Sequence, residues 1–215
     1  MRLFSYYRSL ATWRVRIALA LKRLDYTVVP VDLLAGDQFA APFAAANPES
    51  AVPLLEIDGT ALAQSMAILE YLEETRPTPP LIPSDPVERA LARRLCLISA
   101  ADSHPLVVPR VRAYLRDELG QDEAGVSRWA AHWLLRGCAA MESLLAANSL
   151  AASGIVFGSS PGWVEACVIP HLHGTRNFGG DPSRFSTLIR IEETCAALPA
   201  FQAAHQNRLP DFPRA

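Results

Sequence analysis

One stretch decides how this chain is partitioned. Arg76-Pro77-Thr78-Pro79-Pro80-Leu81-Ile82-Pro83-Ser84-Asp85-Pro86 holds five prolines in eleven positions. Each proline fixes φ and removes an N–H donor, so no helix or interior strand runs through it. It is a stiff linker over residues 77–86 and the strongest boundary in the sequence. The residues on either side of it have different periodicities.

Ahead of the linker, residues 1–76 alternate strand-like and helix-like runs. A strand over Arg2–Tyr7 leads to a helix over about Thr12–Arg23, and a second strand covers Tyr26–Val31. A weaker helix lies in Phe39–Ala46. Val52–Leu62 reads as a hairpin turning at Asp58-Gly59, a pair that tolerates the positive φ of tight hairpin turns. A helix over Ser65–Glu74 follows, with Met66, Leu69 and Leu72 on one face. The order β-α-β-α-β-β-α implies a small mixed sheet with helices packed on it. Beyond the linker, residues 87–215 are helical in pattern: 87–118, interrupted by Pro105 and Pro109, then about Gly125–Ala147, a helix after Pro161-Gly162 ending near Gly174, and about Arg184–Ala197. A proline-containing tail closes the chain. The fold class is therefore an α/β domain followed by an all-α domain.

The bulk numbers exclude several functions. A net charge of -2 gives no electrostatic case for nucleic acid. No segment approaches the ~18 apolar residues that a membrane span needs. The four cysteines stand far apart with no C-x-x-C pair and read as buried thiols of a reducing cytoplasm. His171-x-His173 points its rings to different sides of a helix, which argues against a metal pair; no metal is expected. His132 and His205 read as ordinary surface or satisfied core residues.

Chemistry concentrates at Arg8-Ser9-Leu10-Ala11-Thr12-Trp13-Arg14-Val15-Arg16, where a strand runs into a helix N-terminus. Free N–H groups and the positive end of the helix dipole make such a turn a seat for an anion. Arg14 and Arg16, inside the helix, read as structural or interface residues. Val52-Pro53 admits two readings: a proline at the start of an edge strand, or a cis-proline turn that exposes the Val52 backbone for pairing with an extended peptide. Gln64-Ser65 opens the next helix with Ser65 placed as N-cap, worth about 1 kcal/mol by itself; the alternative role is to receive a ligand carboxylate. At Gly162, with Glu165 three residues on, a capping box with a weak cap is expected.

Together these segments resemble a known family. Residues 1–76 are similar to the thioredoxin-like domain of cytosolic glutathione transferases, and the whole chain resembles the zeta class, which includes maleylacetoacetate and maleylpyruvate isomerases. The matching segments are Tyr6–Leu21 (YYRSLATWRVRIALAL), Asn47–Pro53, Gln64–Pro79 (QSMAILEYLEETRPTP) and His104-Pro105-Leu106 with Arg110-Val111. The resemblance implies that glutathione is the cofactor and that Ser9 hydrogen-bonds its sulfur, with Thr12, the small polar residue that follows in the family, as its understudy. It implies that Val52 and Pro53 meet the cysteinyl backbone, that Gln64 and Ser65 hold the γ-glutamyl end, and that His104 lies at the glycyl end or the substrate rim. Arg8, Arg110 and Arg176 match arginines that hold substrate carboxylates, a task suited to forked, permanently charged guanidinium groups. Leu10 and Ala11 depart from the family pattern of a small residue followed by cysteine or threonine.

The implied activity is glutathione-dependent cis–trans isomerisation of a maleyl-type diacid by a cytoplasmic homodimer. Two rivals stand beside it. One is a general transferase acting on small electrophiles, which a more apolar Leu10 would favour. The other is a binding protein of the same fold with little catalysis.

Overall fold

The computed structural model describes residues 1–213 and divides the chain into two compact units. The first comprises Met1–Leu81 together with the segment from Leu198 onward, and the second comprises Ile82–Ala197.

In the first unit, β1 (Arg2–Ser5) leads to α1 (Leu10–Leu21), β2 (Thr27–Pro30), a 3₁₀ turn (Asp37–Phe39) and α2 (Ala41–Ala46). β3 (Leu54–Ile57), β4 (Thr60–Ala63) and α3 (Ser65–Thr75) complete the β-α-β-α-β-β-α order. The sheet runs β2-β1-β3-β4, with β1 parallel to β2 and antiparallel to β3. This is the thioredoxin-like arrangement that the sequence implied. The hairpin turns where expected, with φ of 51° at Asp58 and 79° at Gly59. Two positive φ values match the right-handed twist of the flanking strands.

Leu3, Leu55, Ile68, Leu69 and Leu72 are fully enclosed, each contributing about 1.5–3 kcal/mol relative to exposure. α1 is buried nearly all round, including Arg14 and Arg16, because it is covered from more than one direction. α3 packs against it, and so does α9 (Pro199–Ala203) from the C-terminal segment. The expectation of a plain tail on the helical domain therefore meets a different arrangement: the last segment packs with the N-terminal unit.

Lys22, at the end of α1, ties the start of the linker to this unit. Its Nζ pairs with the Glu73 carboxylate at 2.9 Å and donates to the carbonyls of Arg76 (2.7 Å) and Pro79 (2.9 Å). Glu73 in turn accepts the Leu81 N–H at 3.2 Å. Residues 76–85 contain neither helix nor strand.

The second unit contains α4 (Pro86–Leu97), a π-helical turn (Ile98–Ser103), a 3₁₀ turn (His104–Leu106), α5 (Pro109–Asp117), α6 (Glu123–Ala147), α7 (Trp163–Asn177) and α8 (Ser186–Ala196). α4 starts where proline is best tolerated, at the first helical position, with the Asp85 carboxylate accepting from the amides of Val87 and Glu88. Glu165 reaches back to the Gly162 N–H at 2.7 Å and also accepts the Val156 N–H at 2.7 Å. It thus supplies half of a capping box, since glycine has no side chain to return the bond. Burial pushes the Glu165 carboxyl above its usual range, and the backbone donors oppose that shift.

His171 is wholly buried, with Nε2 2.8 Å from the Leu134 carbonyl and Nδ1 3.1 Å from the Ser99 hydroxyl. A carbonyl only accepts, so Nε2 carries a proton. Gly137 allows this close approach: a Cβ there would lie 2.7 Å from His171 Cε1. Among the described residues no cluster of three or more His, Cys, Asp or Glu could hold a metal ion. Among them, too, no helix is long and apolar enough to cross a membrane. All four cysteines are free thiols and buried.

Candidate active site

The turn between β1 and α1 is closed by the Ser9 N–H donating to the Tyr6 carbonyl at 2.9 Å. Ser9 then serves as N-cap of α1, with its Oγ accepting the Thr12 N–H at 3.1 Å. The same oxygen accepts the Thr12 hydroxyl at 2.9 Å. A hydroxyl oxygen has two acceptor lone pairs and one proton. With both lone pairs occupied from inside the helix, the Ser9 proton is free to be given outward. Thr12 is completely buried and Ser9 only half-buried, so the pair is held from behind and presented at its front.

The electrostatics favour an anion at this point. The first turn of α1 contains no acidic residue, and the helix provides no acceptor for the N–H groups of Leu10 and Ala11. No acidic side chain of the helix's own first turn therefore opposes the positive end of its dipole. Arg8 is exposed beside the turn. Leu10 is only 7% exposed, so this departure adds packing beneath the site rather than apolar surface on it.

The second cluster on this unit lies at Val52-Pro53 and Gln64-Ser65. The Val52-Pro53 peptide bond is cis, the turn geometry that the second reading of that dipeptide named. Val52 precedes the ladder of β3, whose register with β4 begins at Leu54–Ala63. Ser65 is not the N-cap that the sequence suggests. It is the first residue of α3, and Gln64 holds the cap position at φ 65°, ψ 114° without a side-chain cap bond. Each side chain has one partner within the protein. The Gln64 amide donates to the Glu49 carboxylate, and the Ser65 Oγ accepts from Arg14 Nη1 at 3.3 Å.

A positive φ in a residue other than glycine costs about 1–3 kcal/mol and is found repeatedly at ligand-binding positions. The first turn of α3 also lacks acidic residues, so a second helix N-terminus is open to a carboxylate. Sequence reasoning missed Arg14 and Glu49 as supports of this cluster. Arg14 was read as structural from its place inside the helix, but without its partner Ser65, and Glu49 gave no signal.

The remaining predicted residues belong to the helical unit. His104 opens the 3₁₀ turn after the π-helical segment and is half-buried. Arg110 is exposed in the first turn of α5. Arg176, in the last turn of α7, forms a two-point ion pair with Glu192 of α8, both N–O distances being 2.6 Å. That carboxylate fills the guanidinium fork in the mode the sequence reading reserved for substrate, and it holds the Arg176 pKa above its ordinary value.

Residues 3–80 match the family model of the glutathione S-transferase N-terminal domain. Over the full length, the maleylacetoacetate isomerase of Pseudomonas aeruginosa is 41% identical across 218 residues, covering 100% of both chains. The structure of the maleylacetoacetate isomerase of Methylobacterium extorquens AM1, with malonate and glutathione bound, aligns with a TM-score of 0.94 at 40% identity over 100% of both chains. The holo structure of maleyl pyruvate isomerase, a bacterial zeta-class glutathione S-transferase, also aligns at 0.94, with 34% identity over 98% of this chain and 99% of that one. With relatives of this identity matched from end to end, the chain belongs to the maleylacetoacetate isomerase family of enzymes, the zeta class of the glutathione transferases.

Proposed function

We propose that this protein is a glutathione-dependent cis–trans isomerase of a maleyl-type diacid, maleylacetoacetate or maleylpyruvate. The observation that carries the reading is the Ser9 hydroxyl, whose oxygen is doubly satisfied by Thr12 and whose proton is left to donate. When bound, glutathione supplies the thiolate that adds to the activated double bond, allows rotation about the resulting single bond and is eliminated again.

The residues present fit that group. A free thiol titrates near 8.5, so the protein must favour its anion. Ser9 does so by donating its proton, and the Leu10 and Ala11 amides do so with the α1 dipole. The Val52 backbone, turned by Pro53, pairs with the cysteinyl unit. Gln64 and Ser65 hold the γ-glutamyl end at the α3 N-terminus. Ser65 repeats the logic of Ser9, since its oxygen accepts from Arg14 and its proton is available to a carboxylate. His104 is assigned to the glycyl end or rim.

Arg8 and Arg110, both exposed, are the residues to which we assign carboxylate binding and stabilisation of charge developing on the reacting diacid. Arg176 is the weaker assignment, because Glu192 already occupies its fork. The relative from Methylobacterium extorquens AM1 holds glutathione together with a dicarboxylate, which is the ligand pair this reading calls for. The reading extends to a homodimer in the cytoplasm.

Ser9→Ala tests it, with maleylacetoacetate and maleylpyruvate as substrates. Removing a donor of this kind is expected to lower kcat about 100-fold while glutathione binding persists. Unchanged turnover would remove Ser9 from the mechanism. Glutathione must also be recovered unconsumed; its stoichiometric loss would assign a conjugating transferase instead.

A further inference from the structure

The C-terminal segment reaches the turn that carries Ser9. Inside that turn the Tyr7 N–H lies beyond the end of β1 and donates to the Asp211 carboxylate at 2.9 Å. The Tyr7 ring meets Phe212 edge-on, with centroids 5.6 Å apart at 88°. The segment is anchored farther back along α1. Arg16 Nε donates to the Ala204 carbonyl at 3.0 Å, and the Trp13 ring meets His205 edge-on at 5.2 Å. Arg16 Nη1 donates to the Ser5 hydroxyl at 3.2 Å, so the same side chain also holds the end of β1.

A fully buried guanidinium calls for a nearby anion. Burial brings Arg16 down to about 10, and Tyr26 and Asp211 work against that shift. Asp211 therefore has two reasons to sit where it does: it answers the charge of Arg16 and it accepts from the backbone of the turn.

We propose that Asp211 is a positioning residue for the thiol-activating turn, holding Tyr7 so that the Tyr6–Ser9 path aims the Ser9 hydroxyl at the sulfur of bound glutathione. It touches neither sulfur nor substrate. Its carboxylate fixes the backbone two residues ahead of Ser9, where a small rotation would swing the hydroxyl away from its acceptor. The C-terminal segment is in this way part of the active site's support. The other ionisable groups around the turn are Tyr6, Tyr7 and Arg8 on it, Arg16 from α1, Tyr26 ahead of β2 and Asp32 just after β2. The inference rests on the reading of Ser9 given above.

The test uses the full chain with Asp211→Ala, Asp211→Asn and Phe212→Ala. Amide hydrogen exchange at Tyr7 is followed without glutathione, and the ultraviolet absorbance of the bound glutathione thiolate is titrated against pH. In Asp211→Ala, Tyr7 exchange accelerates at least ~10-fold. The thiolate midpoint rises by about half to one pH unit, and kcat/KM near neutrality falls about three- to tenfold with it. Asp211→Asn keeps a carbonyl acceptor and recovers most of the loss, whereas Phe212→Ala shifts the midpoint in the same direction by less.

An Asp211→Ala midpoint equal to that of the unaltered protein overturns the inference, as does an Asp211→Asn variant equally impaired. Should Asp211→Ala fail to fold, an unshifted midpoint in Phe212→Ala overturns it. If the unaltered protein itself leaves the thiol of glutathione at its solution value, the reading of Ser9 falls and this inference falls with it. A lowered midpoint that Asp211 does not influence removes the inference alone.

Discussion

The Thr12 hydroxyl donates to Ser9 Oγ across 2.9 Å, while the Thr12 N–H donates to the same oxygen from 3.1 Å. One residue thus supplies both the cap bond of α1 and the bond that orients the serine proton. Thr12→Val separates the two roles, because valine keeps the N–H and the shape but has no hydroxyl. Stability should fall by about 1 kcal/mol, as for a single lost hydrogen bond. The Ser9 hydroxyl, now free to rotate, should activate the thiol less well, lowering kcat/KM about three- to tenfold with a pH–rate profile displaced upward. Urea denaturation and the pH–rate profile check the two halves separately. A stability loss with an unmoved profile would leave Thr12 with the cap alone.

The arginines assigned to the diacid differ in what already occupies them. Arg8→Ala and Arg110→Ala should each raise KM for the diacid about tenfold, the order expected for a charge-assisted pair, and leave the glutathione affinity nearly unchanged. Arg176→Ala removes the tie to Glu192 and should act on stability before it acts on KM. Steady-state kinetics with both substrates varied decides this; a large KM effect confined to Arg176 would reverse the assignment.

Lys22 and Glu73 form a buried ion pair at 2.9 Å, with side-chain exposures of 0% and 7%. Glu73→Ala would leave the Lys22 ammonium buried with only the carbonyls of Arg76 and Pro79 and would release the Leu81 N–H. A loss of about 3–5 kcal/mol is expected, because breaking a buried pair from one side strands a charge. Replacing both members by apolar residues should cost less than the single change. Chemical denaturation of the two variants beside the unaltered protein provides the comparison.

The four cysteines should be silent in the folded protein. Burial pushes the Cys138 thiol up to about 11 and the Cys195 thiol up to about 12, so neither presents a thiolate near neutrality. A thiol reagent at pH 8 should modify none of the four until the chain is unfolded. The linked effect on stability has a definite sign. With folded values above the reference 9.0, the folded state holds these protons more tightly. Their contribution is fully present below about pH 9 and is lost as pH rises through 11–12. Cys138→Ala and Cys195→Ala should each flatten the stability curve above pH 9.

Most of the fold could be read from residue patterns because the determinants are local. Pro77, Pro79, Pro80 and Pro83 keep any helix from running through them, Asp58-Gly59 accepts two positive φ values with no help from elsewhere, and strand and helix periods follow from which faces must be buried. The position of Ser9 at a helix N-terminus was legible for the same reason. Ser65 was misplaced by one position because its hydroxyl had two possible uses, capping its own helix or accepting from Arg14. Only packing brings Arg14, 51 residues away in sequence, close enough to decide.

By itself, the sequence determined the β-α-β-α-β-β-α order ahead of the proline-rich segment and the serine and threonine at a helix N-terminus. The tertiary structure alone decided that Glu192 fills the fork of Arg176, that Glu49 ties Gln64, and that the segment after Leu198 packs on α1 and meets Tyr7 through Asp211. These pairings join residues 15 to 204 positions apart. Whether two such residues meet depends on the closure of the whole chain, and no run of neighbouring residues encodes that.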